Sequence, residues 1–582
     1  MSATDSLVPV QEALATKLQA AVADLVEVPP TPPVDRSKAG FASDFQTPLA
    51  LQLKKQLGGN PRQIASTIVD KLGGDDMIAG LDIGGPGFIG VTLSDAYLQT
   101  HLAGMLASDR LGVPVLDDST VVIDFSAPNV AKRMHIGHIR STIIGDALRR
   151  LGTFLGQTII ADNHIGDWGT QFGRVIWAWK NWRDEEAFAA DPIGELERLY
   201  VTFVRKEKED ASYTDRAKAE LVKLQSGDAE NNALWQMMID TSRVAFESIY
   251  ERLDIHFDVT HGESFYNDML QPLVDELLAD GTAQISEGAA VIFFKDEHGD
   301  DTLPPFLIRK SDGAALYATS DLATVRYRET EWSPTRCIYV TDTRQQNHFR
   351  QVFEVARRMG VDTRLDHVWF GMMTLPEGAF STRDGNAPPL HEFLDEAEKR
   401  ARDQQVKRLE SLGETWPEEE LDQLARIIGL GGVKYSDLSN NPQTNITFSF
   451  DKMLSLEGNT AVYLQYTSAR THSLSKKAAS EGIAPPDGTT LKLALPQERD
   501  LMLQMLDFGK ATRAAWEQGK PNLLATYLYE LASKYHTFYQ SCPVKTEADA
   551  TLQMSRLNLN LLARKVLAQG LDLLGIDAPE RM

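Results

Sequence analysis

The chain has 582 residues, with 82 acidic and 59 basic side chains and a formal net charge of −23 at neutral pH. A hydrophobic content of 42% and a charged content of 24% are typical of a folded globular protein of several domains. The two cysteines, Cys337 and Cys542, exclude a disulfide framework and favour a reducing compartment such as the cytoplasm. No apolar run reaches the length of a membrane span, and the first residues lack a signal-peptide pattern. The acidic total, taken alone, also argues against a nucleic-acid partner.

The charge is distributed unevenly along the chain. Residues 1–116 carry a net charge of −4, residues 117–454 carry −20, and residues 455–582 carry +1. Within the acidic middle block, residues 121–180 hold 7 basic against 4 acidic side chains. We therefore predict three domains with these bounds, and a local basic region inside the middle one.

The first domain, 1–116, is predicted to combine helices with a short sheet. Apolar residues recur at helical spacing over 7–27 and over 61–72, a strand-like run follows at 77–83, and another helix begins after Ser94. The segment Gly85–Gly90 matches the G-x-G-x-x-G fingerprint of dinucleotide-binding folds, but a strand rather than a helix follows it. The pattern therefore favours a glycine-rich hairpin turn, and no tightly bound organic cofactor is expected.

The middle domain begins with the unit of a parallel sheet. A β-branched run at 121–125 is followed by a helical pattern at 139–155 and by a second strand-like run at 158–162. Residues 184–255 are charged and helix-periodic, which is typical of a helical insertion.

The rest of the chain completes the predicted fold class. Strand-like runs return at 290–294 and 337–341, separated by a helix from Asp321, and the pattern from 455 onward is almost wholly helical. The prediction is an α/β protein. It has a Rossmann-type parallel-sheet domain with insertions, a small N-terminal α+β domain and a C-terminal all-helical bundle.

The most informative segment joins the first strand of the parallel unit to its helix. His135 and His138 stand three residues apart where the helix begins, so they share a face beside free backbone N–H groups and the positive end of the helix dipole. Lys132 adds a cation, and Gly137 lets a ligand approach the backbone closely. Because parallel-sheet folds bind nucleotides after the first strand, the segment predicts a phosphate-binding site.

Two other interpretations of the histidine pair were weighed against phosphate binding. A His-x-x-His pair can bind a metal, but no Cys, Glu or third His stands nearby at ligand spacing, so no metal site is predicted. The two rings could also be ordinary capping or packing residues. The preceding strand, the turn and Lys132 favour phosphate binding over both.

Several motifs together make the sequence recognisable. Residues 126–142, which contain His135-Ile136-Gly137-His138, closely resemble the HIGH signature of arginyl-tRNA synthetases, which are class I ligases. Residues 166–173 resemble the second block of that family, residues 311–321 its third, and residues 452–470 the start of its anticodon-binding domain. The resemblance covers nearly the whole chain in the right order.

The resemblance implies a reaction between ATP and L-arginine that gives arginyl-adenylate and pyrophosphate, followed by transfer of arginine to the 3′ terminal ribose of its tRNA. It assigns Lys132, His135, Gly137 and His138 to the ATP site, with Mg²⁺ accompanying the nucleotide. Positioning and charge stabilisation would do most of the catalytic work.

The resemblance also implies a pocket for arginine. Asp124 and Asp321 would hold the guanidinium, and Tyr317 would stack against it. Asn129 and Gln345 would hold the α-ammonium end. Without the family, Tyr317 would be interpreted as a core aromatic and Asp321 as a helix N-cap. Many relatives have Glu in place of Asp124, so the carboxylate here lies about one C–C bond further back.

A larger departure from the family lies at 379–385, which resembles the counterpart of its KMSKS loop. Ala379 and Asp384 occupy the two lysine positions, so Arg383 remains as the local cation. We hypothesise that Lys132, with Arg133, supplies the missing positive charge from the opposite side of the ATP site.

Four aromatic and basic residues are predicted to contact tRNA. Phe88 aligns with a family aromatic at the tRNA elbow, although a hairpin aromatic can also be a core residue. Tyr463, Tyr466 and Arg470 share one helix face, as stacking on unpaired anticodon bases requires. Packing of Tyr463 inside the bundle is the alternative.

The sequence thus predicts a cytoplasmic, monomeric ligase that uses ATP, L-arginine and arginine tRNA and does not associate with membranes. Another class I ligase or nucleotidyl transferase is disfavoured by the paired acids Asp124 and Asp321. A non-catalytic tRNA-binding paralogue is disfavoured by intact Asn129, His135 and His138. A nicotinamide enzyme is the weakest alternative. The acidic total is compatible with tRNA because the local field along the contact surface decides binding.

Overall fold

The computed structural model describes residues 7–37, 42–314, 316–375 and 388–582. They form two compact units. One unit is Asp117–Leu454, and the other combines Met1–Leu116 with Ser455–Met582. In the described parts of the chain, no helix is both long and apolar enough to cross a membrane.

The N-terminal part is an antiparallel sheet of order β1-β2-β4-β3 with helices packed against it. Its elements are α1 (Val10–Ala21), β1 (Asp35–Arg36), β2 (Phe45–Thr47), α2 (Leu49–Leu57), α3 (Pro61–Leu72), β3 (Ile78–Gly84), β4 (Phe88–Leu93) and α4 (Asp95–Ala107). The predicted helix at 61–72 is confirmed.

The predicted hairpin at Gly85–Gly90 is also confirmed. Strands β3 and β4 pair antiparallel on either side of it, so a strand follows the glycines and not the helix that a dinucleotide site needs. Gly87 has a φ of 130°, and a Cβ there would lie 3.0 Å from the backbone of Pro61. Both the conformation and the space therefore require glycine.

The second unit is built around a parallel sheet of order β11-β10-β5-β6. The predicted strand–helix–strand unit is confirmed as β5 (Thr120–Asp124), α5 (Ile136–Phe154) and β6 (Thr158–Asp162), with β5 and β6 parallel. Strand β10 lies on the other side of β5, also parallel. The chain therefore leaves β5 toward one neighbour and later returns to the other, which opens a crevice at the carboxyl ends of β5 and β10.

The remaining elements of this unit surround the sheet. The helical insertion predicted at 184–255 is confirmed. From β6 onward the elements are α6 (Thr170–Trp182), α7 (Glu185–Ala190), α8 (Pro192–Glu209), α9 (Ser212–Gln225), α10 (Ala229–Arg252), α11 (Asn267–Ala279), β7 (Gln284–Ser286), β8 (Ala289–Lys295), β9 (Asp301–Arg309), α12 (Tyr317–Trp332), β10 (Arg336–Asp342), α13 (Gln346–Arg358), β11 (Arg364–Phe370), β12 (Met373–Thr374), α14 (Leu390–Leu412), α15 (Glu418–Leu438), β13 (Ile446–Thr447) and α16 (Phe450–Met453).

The C-terminal part is helical, as predicted. Its helices are α17 (Ala461–Ser480), α18 (Pro496–Leu506), α19 (Phe508–Glu517), α20 (Asn522–Ser541) and α21 (Ala550–Leu573). Arg499 of α18 joins it to the N-terminal part: its guanidinium donates to Asp44 at 2.6 Å, to Asp95 at 2.9 Å and to the carbonyl of Leu93 at 2.7 Å. Such a multidentate guanidinium contact fixes orientation as well as distance.

Candidate active site

The loop after β5 has an unusual backbone. Ser126, Ala127 and Ala131 have φ values of 72°, 48° and 62°, in the left-handed region that costs a non-glycine residue about 1–2 kcal/mol. Hydrogen bonds from other segments hold it there. These are Ser126 N to Ser141 Oγ (2.9 Å), Ser126 Oγ with Tyr250 OH (2.8 Å), Ala127 N to Asn163 Oδ1 (3.2 Å) and Ala131 N to Ser242 Oγ (2.9 Å). The loop is therefore held in one conformation from several sides.

The two predicted histidines cap α5 reciprocally. The N–H of Gly137 donates to Nδ1 of His135 at 3.0 Å, and the N–H of His135 donates to Nδ1 of His138 at 3.1 Å. Because each Nδ1 accepts a backbone proton, each neutral ring carries its own proton on Nε2. The capping interpretation is thus correct for Nδ1, and it leaves two Nε2–H donors at the helix N-terminus.

Both rings are kept neutral near physiological pH. Burial, with the neighbouring His135, lowers the pKa of His138 to about 4. Partial burial, Lys132 and Arg344 lower the pKa of His135. Burial is the larger cause of both shifts, and the positive field of Lys132 and Arg344 adds to it at His135. Arg344, which follows β10, contributes to this field and was not found by sequence reasoning.

Gly137 is required for the cap itself. A Cβ at this position would lie 2.7 Å from Cε1 of the His135 ring, and the two rings are only 4.1 Å apart between centroids. The glycine therefore makes room for the imidazole as well as for a ligand.

Two cations before the histidines are held by the helical insertion in different ways. The ammonium of Lys132 lies 4.3 Å from the ring centroid of Tyr200 on α8. Arg133 pairs with Asp191 and lies 3.9 Å from Glu197, so its charge is engaged. An aromatic face orients an ammonium without neutralising it. Lys132 is therefore the better placed of the two to meet a phosphate.

The start of α5 is fixed to the second half of the unit through Arg140. This buried guanidinium donates to both carboxylate oxygens of Asp437 at 2.9 Å and to the carbonyls of Gly371, Thr444 and Pro442. Arg140 stands two residues after His138. A fully bonded guanidinium at this point restricts movement of the first turn of α5.

On the arginine side, Asp124 at the end of β5 has a resident cation. Nη2 of the buried Arg328 donates to Asp124 Oδ2 at 2.7 Å and to Asp162 Oδ2 at 2.8 Å. Burial raises the pKa of Asp124, although Arg328 opposes the shift. The carboxylate thus already faces a guanidinium of its own chain.

Arg328→Met is expected to lower the stability of this unit by about 3–5 kcal/mol, because it leaves Asp124 and Asp162 buried without a counter-charge. The matched control is Arg326→Met on the same helix, where an exposed pair with Glu276 is worth at most about 1 kcal/mol. Urea unfolding followed by tryptophan fluorescence measures both. Equal midpoints for the two variants would contradict a structural role for the buried pairing of Arg328 with Asp124 and Asp162.

Tyr317 and Asp321 lie on one side of α12, one turn apart. The helix begins at Tyr317, with Leu316 as its N-cap, so the interpretation of Asp321 as a cap and as the helix start is wrong. Tyr317 is 61% exposed, so the core interpretation is also wrong. Asp321 is half-buried and accepts a hydrogen bond from Nε2 of His348. Both side chains remain available to a ligand.

Glu263 is a further residue that sequence reasoning missed. It opens a 3-10 turn, Glu263–Tyr266, and burial together with the carboxylates of Asp321 and Asp167 raises its pKa to about 8. Its carboxylate has no ion-pair or hydrogen-bond partner among the described residues. The same carboxylate also contributes, after burial, to a raised pKa of Tyr317. Glu263, Tyr317 and Asp321 therefore converge, and within the described ranges no Lys or Arg pairs with either carboxylate.

Asn129 and Gln345 follow neighbouring strands. Asn129 forms a β-bridge to Gly166. A Cβ on Gly166 would lie 2.4 Å from Oδ1 of Asn129, so the glycine leaves room for the amide. Gln345 ends a 3-10 turn directly after β10 and is exposed. Strands β5 and β10 are adjacent and parallel, so both residues lie at the same edge of the sheet. Arg383 and the whole 379–385 segment lie outside the described residues.

The predicted tRNA contacts lie in the other unit. Phe88 is the first residue of β4 and is half-buried. The ring of Tyr463 lies 5.7 Å from that of Tyr529 on α20. Arg470 lies 4.7 Å from the ring of Tyr466 and donates to its hydroxyl at 3.0 Å. A partly exposed face of ring and cation is therefore present at Tyr466 and Arg470.

A reciprocal histidine cap at the first βα junction of a parallel sheet, beside an acidic crevice at the strand switch point, defines a class I aminoacyl-tRNA synthetase. Comparison with known families agrees. Residues 101–450 match the model of the class I (R) tRNA synthetase catalytic domain, residues 464–582 the DALR anticodon binding domain, and residues 10–93 the arginyl tRNA synthetase N-terminal domain.

Relatives and solved structures give the particular family. The chain is 43% identical to an arginine–tRNA ligase of Fusobacterium nucleatum, with 93% of each chain covered, and 41% identical to one of Thermobifida fusca, with 98% and 99% covered. It resembles the structures of arginyl-tRNA synthetases from Plasmodium falciparum (26% identity, TM-score 0.83, 99% and 100% covered) and Thermus thermophilus (25%, 0.78, 98% and 100%). The chain belongs to the arginyl-tRNA synthetase family.

Proposed function

We propose that this protein activates L-arginine with ATP and transfers it to the 3′ terminal ribose of arginine tRNA. The observation that carries the proposal is the crevice at the ends of β5 and β10, where phosphate-binding donors lie beside the carboxylates of Glu263 and Asp321. The donors suit a triphosphate, and the acids suit the cationic end of arginine.

On the ATP side, the Nε2–H groups of His135 and His138 donate to phosphate oxygens. The N-terminus of α5 and Lys132 add positive charge as negative charge grows on the departing pyrophosphate. The amino-acid carboxylate forms the new bond to the α-phosphorus and the bond to pyrophosphate breaks, so no side chain needs to gain or lose a proton. The described residues include no group of three His, Cys, Asp or Glu side chains suited to a metal, so we propose that Mg²⁺ arrives on the triphosphate.

On the arginine side, Glu263 and Asp321 hold the guanidinium and Tyr317 covers it. Asp124 acts as a positioning residue through Arg328. Asn129 and Gln345 hold the α-amino end, at the sheet edge from which the carboxylate must reach ATP. Two carboxylates matched to a planar cation discriminate against lysine, which presents a point charge, and against citrulline, which has none.

Arginine binding is expected to strengthen as pH rises from 6 to 8. In the free site Glu263, with its pKa of about 8, is mostly protonated at pH 6, and a guanidinium requires the ionised form. Each pH unit below 8 should therefore raise KM for arginine by up to about tenfold. The assay is arginine-dependent pyrophosphate exchange at saturating ATP and tRNA. Glu263→Gln should flatten the profile, and an equally steep profile in that variant would refute the assignment.

We further propose the tRNA contacts and the setting. Phe88 meets the elbow and Tyr466 and Arg470 meet the anticodon, with Tyr463 supporting that face, so residues 1–116 and 455–582 act as the tRNA-binding parts. The enzyme works as a cytoplasmic monomer without membrane association, and bound tRNA precedes arginine activation.

An exchange panel of arginine, lysine and citrulline, each with arginine tRNA, tests the proposed function. Of the three amino acids, only arginine should support pyrophosphate exchange. A preference for lysine or citrulline would refute the proposed function.

A further inference from the structure

A basic cavity of about 460 Å³ lies between α17, α21 and the C-terminal segment. Its polar lining is His472, Ser475, Lys476, Arg564, Lys565 and Glu580. We propose that this cavity binds a phosphodiester of the tRNA backbone, at a contact separate from the anticodon face. The inference rests on the proposed function, since it takes tRNA as the partner.

The charge of the cavity is positive in a chain whose total charge is −23. Lys476, Arg564 and Lys565 face one carboxylate, that of Glu580. Lys476 and Glu580 lie 3.4 Å apart, but both side chains are about two-thirds exposed, so water screens the pair. Lys565 donates to the carbonyl of Leu106 at 3.0 Å, which fixes the side chain without neutralising it.

Arg564 is the central element of the cavity. It is half-buried, and among the described residues it has no hydrogen-bond or ion-pair partner. A guanidinium presents five donors in a fixed plane and pairs with phosphate through two of them. Burial, together with Arg564 and Lys476, lowers the pKa of the neighbouring His472, which indicates that the cations converge on one place.

The cavity differs from the predicted anticodon face in position and in chemistry. His472 and Lys476 are four residues apart on one side of α17, whereas Arg470 is two residues from His472 and so points about 200° away. Arg470 lies between the rings of Tyr466 and Tyr539. The cavity has no Phe, Tyr or Trp in its lining, so it lacks the stacking surface that a nucleobase needs. Its chemistry suits a backbone phosphate.

The test is the affinity of Arg564→Gln for fluorescein-labelled arginine tRNA, measured by anisotropy from 50 to 300 mM KCl. We expect Kd to rise by about three- to tenfold and the slope of log Kd against log [KCl] to fall by about one, as for one lost phosphate contact. Arg564→Lys should restore most of the slope. The control is Lys534→Gln on α20, which removes one charge beside Asp500 in the same bundle.

If Arg564→Gln has the same Kd and slope as Lys534→Gln, the inference is wrong. It is also wrong if Arg564→Gln weakens binding of inorganic phosphate, measured by calorimetry, and leaves tRNA binding unchanged, because the cavity would then hold a free anion. Lys476→Gln provides the same comparison should Arg564→Gln lower the melting temperature. Arginine-dependent pyrophosphate exchange at saturating tRNA should be equal in all variants. Failure of the wild-type protein in that exchange would count against the proposed function instead.

Discussion

Asp321→Asn should lower kcat/KM for arginine by about 10²–10³-fold while leaving KM for ATP within about twofold. Truncating one partner of a desolvated charge pair costs about 2–5 kcal/mol, much of it from the charge left without its counter-ion. Asn keeps the size of the side chain and an acceptor for His348, so the change removes charge and little else. Pyrophosphate exchange with varied arginine measures the effect.

A second readout separates loss of charge from loss of structure. Citrulline has the shape of arginine without its positive charge, so Asp321→Asn should shrink the ratio of arginine to citrulline activity. The matched control is Asp275→Asn, an exposed carboxylate on α11 of the same unit. If Asp321→Asn and Asp275→Asn give the same ratio, Asp321 does not contact the guanidinium.

His138→Ala is expected to slow arginine-dependent pyrophosphate exchange by about 10²–10³-fold, the usual effect of removing one donor aimed at developing negative charge. KM for arginine should change little because the acidic crevice is intact. The control is His256→Ala, an exposed histidine of the same unit. Lys132→Ala should reduce the rate in the same assay, since its charge lies on the same side of the phosphates.

The loss of His138 also removes the acceptor for the N–H of His135, which costs about 0.5–2 kcal/mol of helix stability. The melting temperature of His138→Ala is therefore measured together with its exchange rate. A fall in melting temperature with an unchanged exchange rate would mean that His138 is only a cap. Because burial lowers the pKa of His138 to about 4, protonation of this ring does not shape the rate between pH 6 and 8.

The parallel core could be predicted from sequence because its signals are local. A β-branched strand, a helical repeat and a second strand follow one another between 121 and 162, and all three elements are present. The helix begins at Ile136, within the histidine segment where its start was predicted, although its cap is an imidazole pair and carries no Ser, Thr, Asp or Asn signal.

The arginine pocket could be predicted only in part. Asp321 was predicted because residues 311–321 resemble the third block of the family. Glu263 lies 58 residues earlier, in a 3-10 turn whose sequence matches none of the motifs. Its raised pKa arises from neighbours that the fold brings together. Likewise, nothing local to Asp124 indicates that Arg328, 204 residues away, supplies its counter-charge.

Contacts between the N-terminal and C-terminal parts of the chain could not be predicted from the sequence either. Asp44 and Arg499 are 455 residues apart, and their pair helps join the N-terminal sheet to the C-terminal helices in one unit. Sequence periodicity reports which face of a helix is apolar and not which distant partner covers it.

The most direct test of the central claim is the charging of arginine tRNA with radiolabelled arginine and ATP. Acid-precipitable label should accumulate with wild-type protein, fall by about 10²–10³-fold with Asp321→Asn or His138→Ala, and stay near wild-type with Asp275→Asn. Label on the tRNA at the wild-type rate in both active-site variants would contradict the crevice at β5 and β10 as the place where arginine meets ATP. Absence of label with the wild-type protein would contradict the activity itself.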